Sequence, residues 1–199
     1  MLAGGGDTAP RQRRLFVAIE LPPAVRLAAF RQVATLERAR LAVRWEREEK
    51  LHVTLFFLGG VASADIARVS HALTGAVAGT GALRLRLGHA ARLPPFGPPR
   101  VIVRELEGDT ARLRQMRERV AQRLDLMGFR DERSQFQPHV TLGRVDRRAT
   151  PAEGRAASEA LSRLPADAGP EWLAERIVLV ESLPGEGTTR YTTVESFPF

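Results

Sequence analysis

The sequence predicts an α+β fold of two pseudo-symmetric lobes, built mainly from antiparallel strands with helices outside and a central cleft between them. Three observations carry this. The tetrapeptide His-Val-Thr-Leu occurs twice, at residues 52–55 and 139–142. Each copy occupies the same place in a strand, helix, strand pattern, His52 lying 37 residues after Leu15 and His139 lying 38 after Val101. Between the two patterns lies the segment 93–100 (LPPFGPPR), whose four prolines interrupt any regular element. A unit of that size buries little apolar surface alone, so one duplicated domain over 14–199 is expected, with pseudo-repeats at about 14–92 and 100–182.

Each element has its own signal. Residues 1–13 are polar, basic and glycine-rich without periodicity and read as a disordered basic tail. Residues 15–20 (LFVAIE) form a short apolar strand that ends at Leu21-Pro22-Pro23, and proline there suits the first turn of a helix. That helix runs over 24–40, with Val25, Ala28, Ala29, Val33 and Leu36 on one face and arginines on the other. Residues 43–45 and 51–58 read as strand material, closed by Gly59-Gly60. Ser63 caps a helix through about Val77, after which Leu83, Leu85 and Leu87 alternate with Arg84 and Arg86 in a half-buried strand.

The second half repeats the plan. A strand over 101–106 precedes a helix from Asp109 to about Met127, with Gly128 past its end. A strand over 137–145, a helix from Pro151 to about Leu164 and a strand over 175–182 follow. A last strand over 190–197 comes after the turn 184–187 and has no counterpart in the first half.

Composition bounds the function. No stretch approaches the roughly 20 apolar residues of a membrane span, and the N-terminus lacks the apolar core of a signal peptide, so a cytoplasmic protein without membrane contacts is expected. The absence of cysteine excludes disulfides, thiolate metal sites and a cysteine nucleophile. A formal charge of +7 and a pI of about 11 suggest an anionic partner such as nucleic acid. The 29 arginines against a single Lys50, with abundant Ala, Gly and Pro, also fit GC-rich coding. Arginine still offers phosphate a forked pair of hydrogen bonds that an ammonium lacks.

In a strand, His52 and Thr54 share one face while Leu51, Val53 and Leu55 take the other, and His139 and Thr141 stand likewise against Val140 and Leu142. Each motif packs its aliphatic residues into a lobe and presents an imidazole beside a hydroxyl. Two such faces meeting across a cleft suit in-line displacement at phosphorus, which needs a base for the nucleophile and an acid for the leaving oxygen. Imidazole, with an ordinary pKa near 6.5, serves either role near neutrality, and the threonine hydroxyls can donate to the non-bridging oxygens. No HExxH or clustered Asp/His pattern completes a metal site, so neither metal nor other cofactor is expected. By parity Phe56 shares the face of His52, to stack on a nucleobase or to pack in the core, whereas Phe57 belongs to the core. Trp45 and Phe96 fit stacking or ordinary packing equally. His71 and His89 read as ordinary surface or core histidines.

The chain resembles the two-histidine phosphoesterases, in particular the RNA 2',3'-cyclic phosphodiesterases of the LigT-like, 2'-5' RNA ligase family. The resemblance runs from Arg14-Leu15-Phe16-Val17-Ala18-Ile19 and Leu21-Pro22, through Arg44-Trp45 and the segment 51–59 (LHVTLFFLG), to 136–144 (FQPHVTLGR). It ends at 179–182 (LVES), Tyr191 and Phe197-Pro198-Phe199. It implies a bilobal fold with a central active-site cleft and an enzyme that opens 2',3'-cyclic phosphates at RNA ends to 2'-phosphates. By position, His52 is implied as proton donor to the departing 3' oxygen and His139 as the acceptor that activates water. Thr54 and Thr141 would hold the phosphate, and Arg144 matches a basic position of the family. Strict alternation from His139 puts Arg144 on the opposite face, as a solvated strand-end arginine, unless Gly143 admits a bulge or the strand ends there. The expected partner is an RNA end or oligonucleotide bearing a 2',3'-cyclic phosphate, bound by a monomer. Alternatives are 2'-5' joining of RNA, a cyclic phosphodiesterase acting on a small nucleotide and, from another class, a noncatalytic RNA-binding module.

Overall fold

A computed structural model describes residues 12–131, 136–164, 169–185 and 189–199. Most of the expected tail and part of the expected turn at 184–187 lie outside the described residues. Gln12 and Arg13 are not tail. They open β1 (Gln12–Glu20), paired with Ala62 and Val61.

The first half continues with α1 (Pro23–Glu37), which starts at the two prolines and buries Val25, Ala29, Val33 and Leu36. Then come β2 (Val43–Trp45), β3 (His52–Ala62), α2 (Ile66–Val77) and β4 (Leu83–Leu93). Gly59-Gly60 does not close β3: Gly59 takes φ +73° within a bulge, and the strand runs on three residues to Ala62. The second half comprises β5 (Val101–Gly108), α3 (Thr110–Asp125), β6 (His139–Val145) and α4 (Pro151–Ser162). A capping box opens α4, in which Thr150 and Glu153 each accept the other's backbone N–H. The chain finishes with β7 (Glu171–Ala174), which the sequence pattern did not reveal, β8 (Arg176–Pro184) and β9 (Thr189–Pro198).

The strands form one antiparallel sheet in the order β7-β4-β5-β6-β3-β1-β8-β9, with β2 added beside β6. It is two arms joined at a narrow seam, because β3 and β6 pair only at Val53 and Val140. Each half lends a late strand to the other arm. Thus β4 pairs with β5 and β7, while β8 pairs with β1 and β9.

One face of the sheet carries the helices over a continuous core that includes Leu15, Val17, Ile19, Val53, Leu73, Leu113, Met116, Val140 and Leu142. The other face is concave and open. In the β1–β8 arm it carries a small separate apolar cluster of Phe16, Ala18, Val178 and Val180.

Candidate active site

Val53 and Val140 are fully buried on the helix side, so alternation brings His52, Thr54, His139 and Thr141 out on the concave face. The seam is antiparallel and centred on the middle residue of each His-Val-Thr unit. That register sets His52 beside Thr141 and Thr54 beside His139.

Beyond the threonines both strands break alternation at the same place. In β3, Thr54 pairs with Ala18 and Phe56 with Val17, so Leu55 is an extra residue. In β6, Thr141 pairs with Val103 and Gly143 with Ile102, so Leu142 is the extra residue. The phase resets in each strand. Phe56 therefore falls into the core at 1% exposure, which corrects the parity expectation, and Phe57 at 49% exposure comes out beside Phe16, ring centroids 6.0 Å apart. The same reset puts Arg144 on the cleft side, where its charge acts on His52.

Local contacts explain both bulges. An added Cβ on Gly143 would lie 2.7 Å from the Trp45 ring and from Val43, so only glycine lets β2 sit against β6 there. In β3 the Leu55 carbonyl accepts a 3.3 Å hydrogen bond from Nε of the buried Arg117 on α3. Arg117 is itself held by Asp131 and stacked over Phe136, 5.4 Å from its ring centre.

The two imidazoles are anchored alike. His52 Nδ1 lies 2.6 Å from the Lys50 carbonyl and His139 Nδ1 lies 2.7 Å from the Gln137 carbonyl, in each case two residues back. A carbonyl only accepts, so Nδ1 carries hydrogen in both rings and Nε2 is left for chemistry. His52 Nε2 takes a 2.9 Å hydrogen bond from the Thr54 hydroxyl.

Their surroundings differ. His52 is wedged between Phe16, at 5.0 Å, and Tyr191, at 5.5 Å and edge-on. Burial in this aromatic box, with smaller contributions from His139 and the Arg144 charge, pushes the His52 pKa down to about 4. The Lys50 carbonyl opposes them without prevailing. Burial also raises the Tyr191 pKa, so its hydroxyl stays protonated. In the other arm, Val101 pairs with Arg144 where Phe16 pairs with Phe57, and the box is not repeated.

A cavity of about 520 Å³ opens beside His52 over the Phe16, Ala18, Val178 and Val180 cluster. Among its lining residues are Tyr191, Thr193 and Glu20, the last two joined by a 3.1 Å hydrogen bond. Two imidazoles that turn Nε2 away from their Nδ1 anchors, two hydroxyls and a guanidinium thus share one concave surface. This combination suits an oxyanion that must gain and lose protons on opposite sides.

The sequence model of the 2'-5' RNA ligase superfamily matches residues 21–186, across both His-Val-Thr units. The chain belongs to the 2'-5' RNA ligase superfamily. Among relatives of this superfamily member, an RNA 2',3'-cyclic phosphodiesterase of Thermotoga maritima is 31% identical over 66% of this chain and 70% of its own. An RNA 2',3'-cyclic phosphodiesterase of Geobacillus stearothermophilus is 27% identical over 94% of the chain, which spans 58% of that protein's length. The crystal structure of TT0787 of Thermus thermophilus superposes with a TM-score of 0.73 at 28% identity, covering 93% of this chain and 97% of that one. E. coli LigT, crystallised with 3'-AMP, has the same fold, with a TM-score of 0.75 at 22% identity over 94% and 98% of the two chains.

In this superfamily member His52, His139, Thr54, Thr141 and Arg144 share the concave face, and Phe56 does not. Trp45 packs against the core, and Phe96 is 86% exposed on the proline loop. His89 lies 3.0 Å from Glu105, away from the seam, and His71 is exposed on α2. Residue-by-residue parity missed Phe57 and Arg117. Arg117 was signalled by its place between Leu113 and Val120 on the apolar stripe of α3, where a charge needs a buried partner.

Proposed function

We propose that the chain hydrolyses 2',3'-cyclic phosphates at RNA ends to 2'-phosphomonoesters, with a histidine acid and a histidine base and no metal or other cofactor. The observation that carries this reading is the Val53–Val140 seam, which sets two His-Val-Thr units on one surface with each Nδ1 tied back to a carbonyl two residues earlier. The relatives named RNA 2',3'-cyclic phosphodiesterase support the substrate.

With the cyclic phosphate over the seam, His139 Nε2 takes a proton from water as its oxygen attacks phosphorus. The bond from phosphorus to O3' breaks, and His52 Nε2 gives O3' a proton. The product carries a 2'-phosphate and a 3'-hydroxyl. The Thr54 and Thr141 hydroxyls and the Arg144 guanidinium donate to the non-bridging oxygens, where charge develops. The terminal nucleoside has an apolar wall in Phe16, Ala18, Val178 and Val180.

His52 without an anion beside it is neutral at pH 7, so its acid role requires proton uptake as substrate enters. The phosphodiester charge supplies the drive, since it offsets the Arg144 charge. The family description also fits a second outcome, in which the 5'-hydroxyl of another RNA replaces water and a 2'-5' linkage forms. Strain in the cyclic phosphate then stands in for a nucleoside triphosphate.

The test is incubation with an RNA oligomer ending in a 2',3'-cyclic phosphate, with a chelator and without ATP. Turnover to a 2'-phosphate end is expected, with a loss of at least ~100-fold in His52→Ala and in His139→Ala while RNA binding persists. A 3'-phosphate product, chelator sensitivity or wild-type turnover in either variant overturns the reading.

A further inference from the structure

We propose that the groove between the proline loop and α4 is the track for the RNA strand leading to the reacting end, a site for backbone phosphates outside the catalytic cleft. The proposal rests on the reading of the chain as acting on RNA ends, and it names what holds the rest of the strand.

The groove has a volume of about 1040 Å³, twice that of the cavity beside His52. Small-molecule pockets span roughly 300–1000 Å³, so it has room for more than one nucleotide. Its walls are Pro98 and Pro99 on one side and α4 on the other, meeting where Gly154 faces Pro99 at ordinary contact distance. The Val145 N–H bonds the Arg100 carbonyl at 3.0 Å and ties the end of β6 to the loop. These contacts fix the loop against the end of β6 and the start of α4.

Its charge is one-sided. Arg92, Arg100, Arg144, Arg147 and Arg155 border it, against two carboxylates that are already engaged. Asp146 accepts the Arg148 backbone N–H at 2.8 Å, and Glu159 lies 3.9 Å from Arg163. Arg100, Arg147 and Arg155 are exposed, and no carboxylate pairs with them among the described residues. Such guanidinium groups are set to hold phosphates by forked hydrogen bonds.

Arg144 joins the groove to the reacting phosphate, since it borders both. In the opposite direction the cavity beside His52 is edged by Glu20, Glu49 and Glu175 against Arg26 and Arg176, so it lacks the one-sided positive charge of the groove. The substrate's own chemistry fits this division. Base and strand leave the terminal ribose at different carbons, C1' and C4', so the base can enter the apolar cavity while the strand turns to the arginines.

The experiment compares the wild type with the double variant Arg147→Ala/Arg155→Ala, neither residue being part of the catalytic set. The substrates are a ten-nucleotide RNA ending in a 2',3'-cyclic phosphate and a nucleoside 2',3'-cyclic monophosphate. For the oligomer, kcat/KM is expected to fall roughly tenfold and its salt dependence to flatten by ~0.7 per lost phosphate contact, with the mononucleotide rate within about twofold. Equal losses on both substrates, or none on the oligomer, overturn the proposal. Fluorescence anisotropy of a labelled RNA ending in a 3'-hydroxyl reads the same groove without catalysis, which separates failure here from failure of the proposed reaction. Weaker binding by the double variant is expected. Unchanged binding, or competition by polyglutamate as strong as by RNA, overturns the track.

Discussion

The fifth residue after each histidine sets the two walls apart, an aromatic ring at Phe57 and a guanidinium at Arg144. Parity counting from His52 gives the wrong phenylalanine, because an extra residue at Leu55 changes the phase without any mark in composition. The exchange has a clear signature. Phe56→Ala empties a buried site and is expected to cost about 3–5 kcal/mol in denaturant unfolding. Phe57→Ala should cost less than about 1 kcal/mol while raising KM for the cyclic-phosphate oligomer. The reverse ranking would return Phe56 to the cleft. His52 carries the second prediction at this scale. Its NMR titration should centre near 4 and move upward when sulfate is added, because an anion offsets the Arg144 charge. An imidazole titrating near 6.5 in the free protein would refute the burial argument. The sign carries into stability. The unfolded chain takes that proton near 6.5 and the folded one near 4, so acidification through this window favours unfolding. His52→Gln should flatten that part of the stability profile.

At the scale of elements, the bulges are what the seam strands need to deliver a fifth side chain to the cleft, and each is held by a neighbour distant in sequence. Gly143→Ala tests the one in β6. The new methyl must displace Trp45 or Val43, so β2 shifts and Arg144 loses its aim. A stability loss of about 1–3 kcal/mol is expected, with a fall in kcat/KM well beyond what that loss explains, since the folded population stays nearly complete. Wild-type kinetics in a destabilised but folded variant would mean that Arg144 is aimed by something else. Periodicity made the helices legible, since Val25, Ala29, Val33 and Leu36, or Leu113, Met116, Val120 and Leu124, recur at helical spacing. It could not reveal β7, whose four residues are too short for any period and are strand only because β4 lies beside them. Nor could it foresee that Arg117 would reach the Leu55 carbonyl, for that contact depends on how α3 lies across β3.

For the whole molecule, the repeat was legible from the two His-Val-Thr units, but the partnership of strands was not. Sequence order groups β4 with β1 and β3, whereas the sheet groups it with β5 and β7, and β8 crosses the other way to β1. The exchange has a consequence for folding. The first half alone leaves β1 without β8 and exposes Phe16 and Ala18, while the second leaves β5 without β4 along its length. Neither half then closes a core of its own, although each contains a complete His-Val-Thr unit. Fragments 1–96 and 97–199, cut within the exposed proline loop, are expected to show no cooperative thermal transition singly by circular dichroism. Mixed in equal amounts they should recover both the transition and turnover of the cyclic-phosphate oligomer, because the cut removes no strand pairing. A cooperative transition in either fragment alone would make the chain two domains, and the cleft a junction between bodies that fold independently.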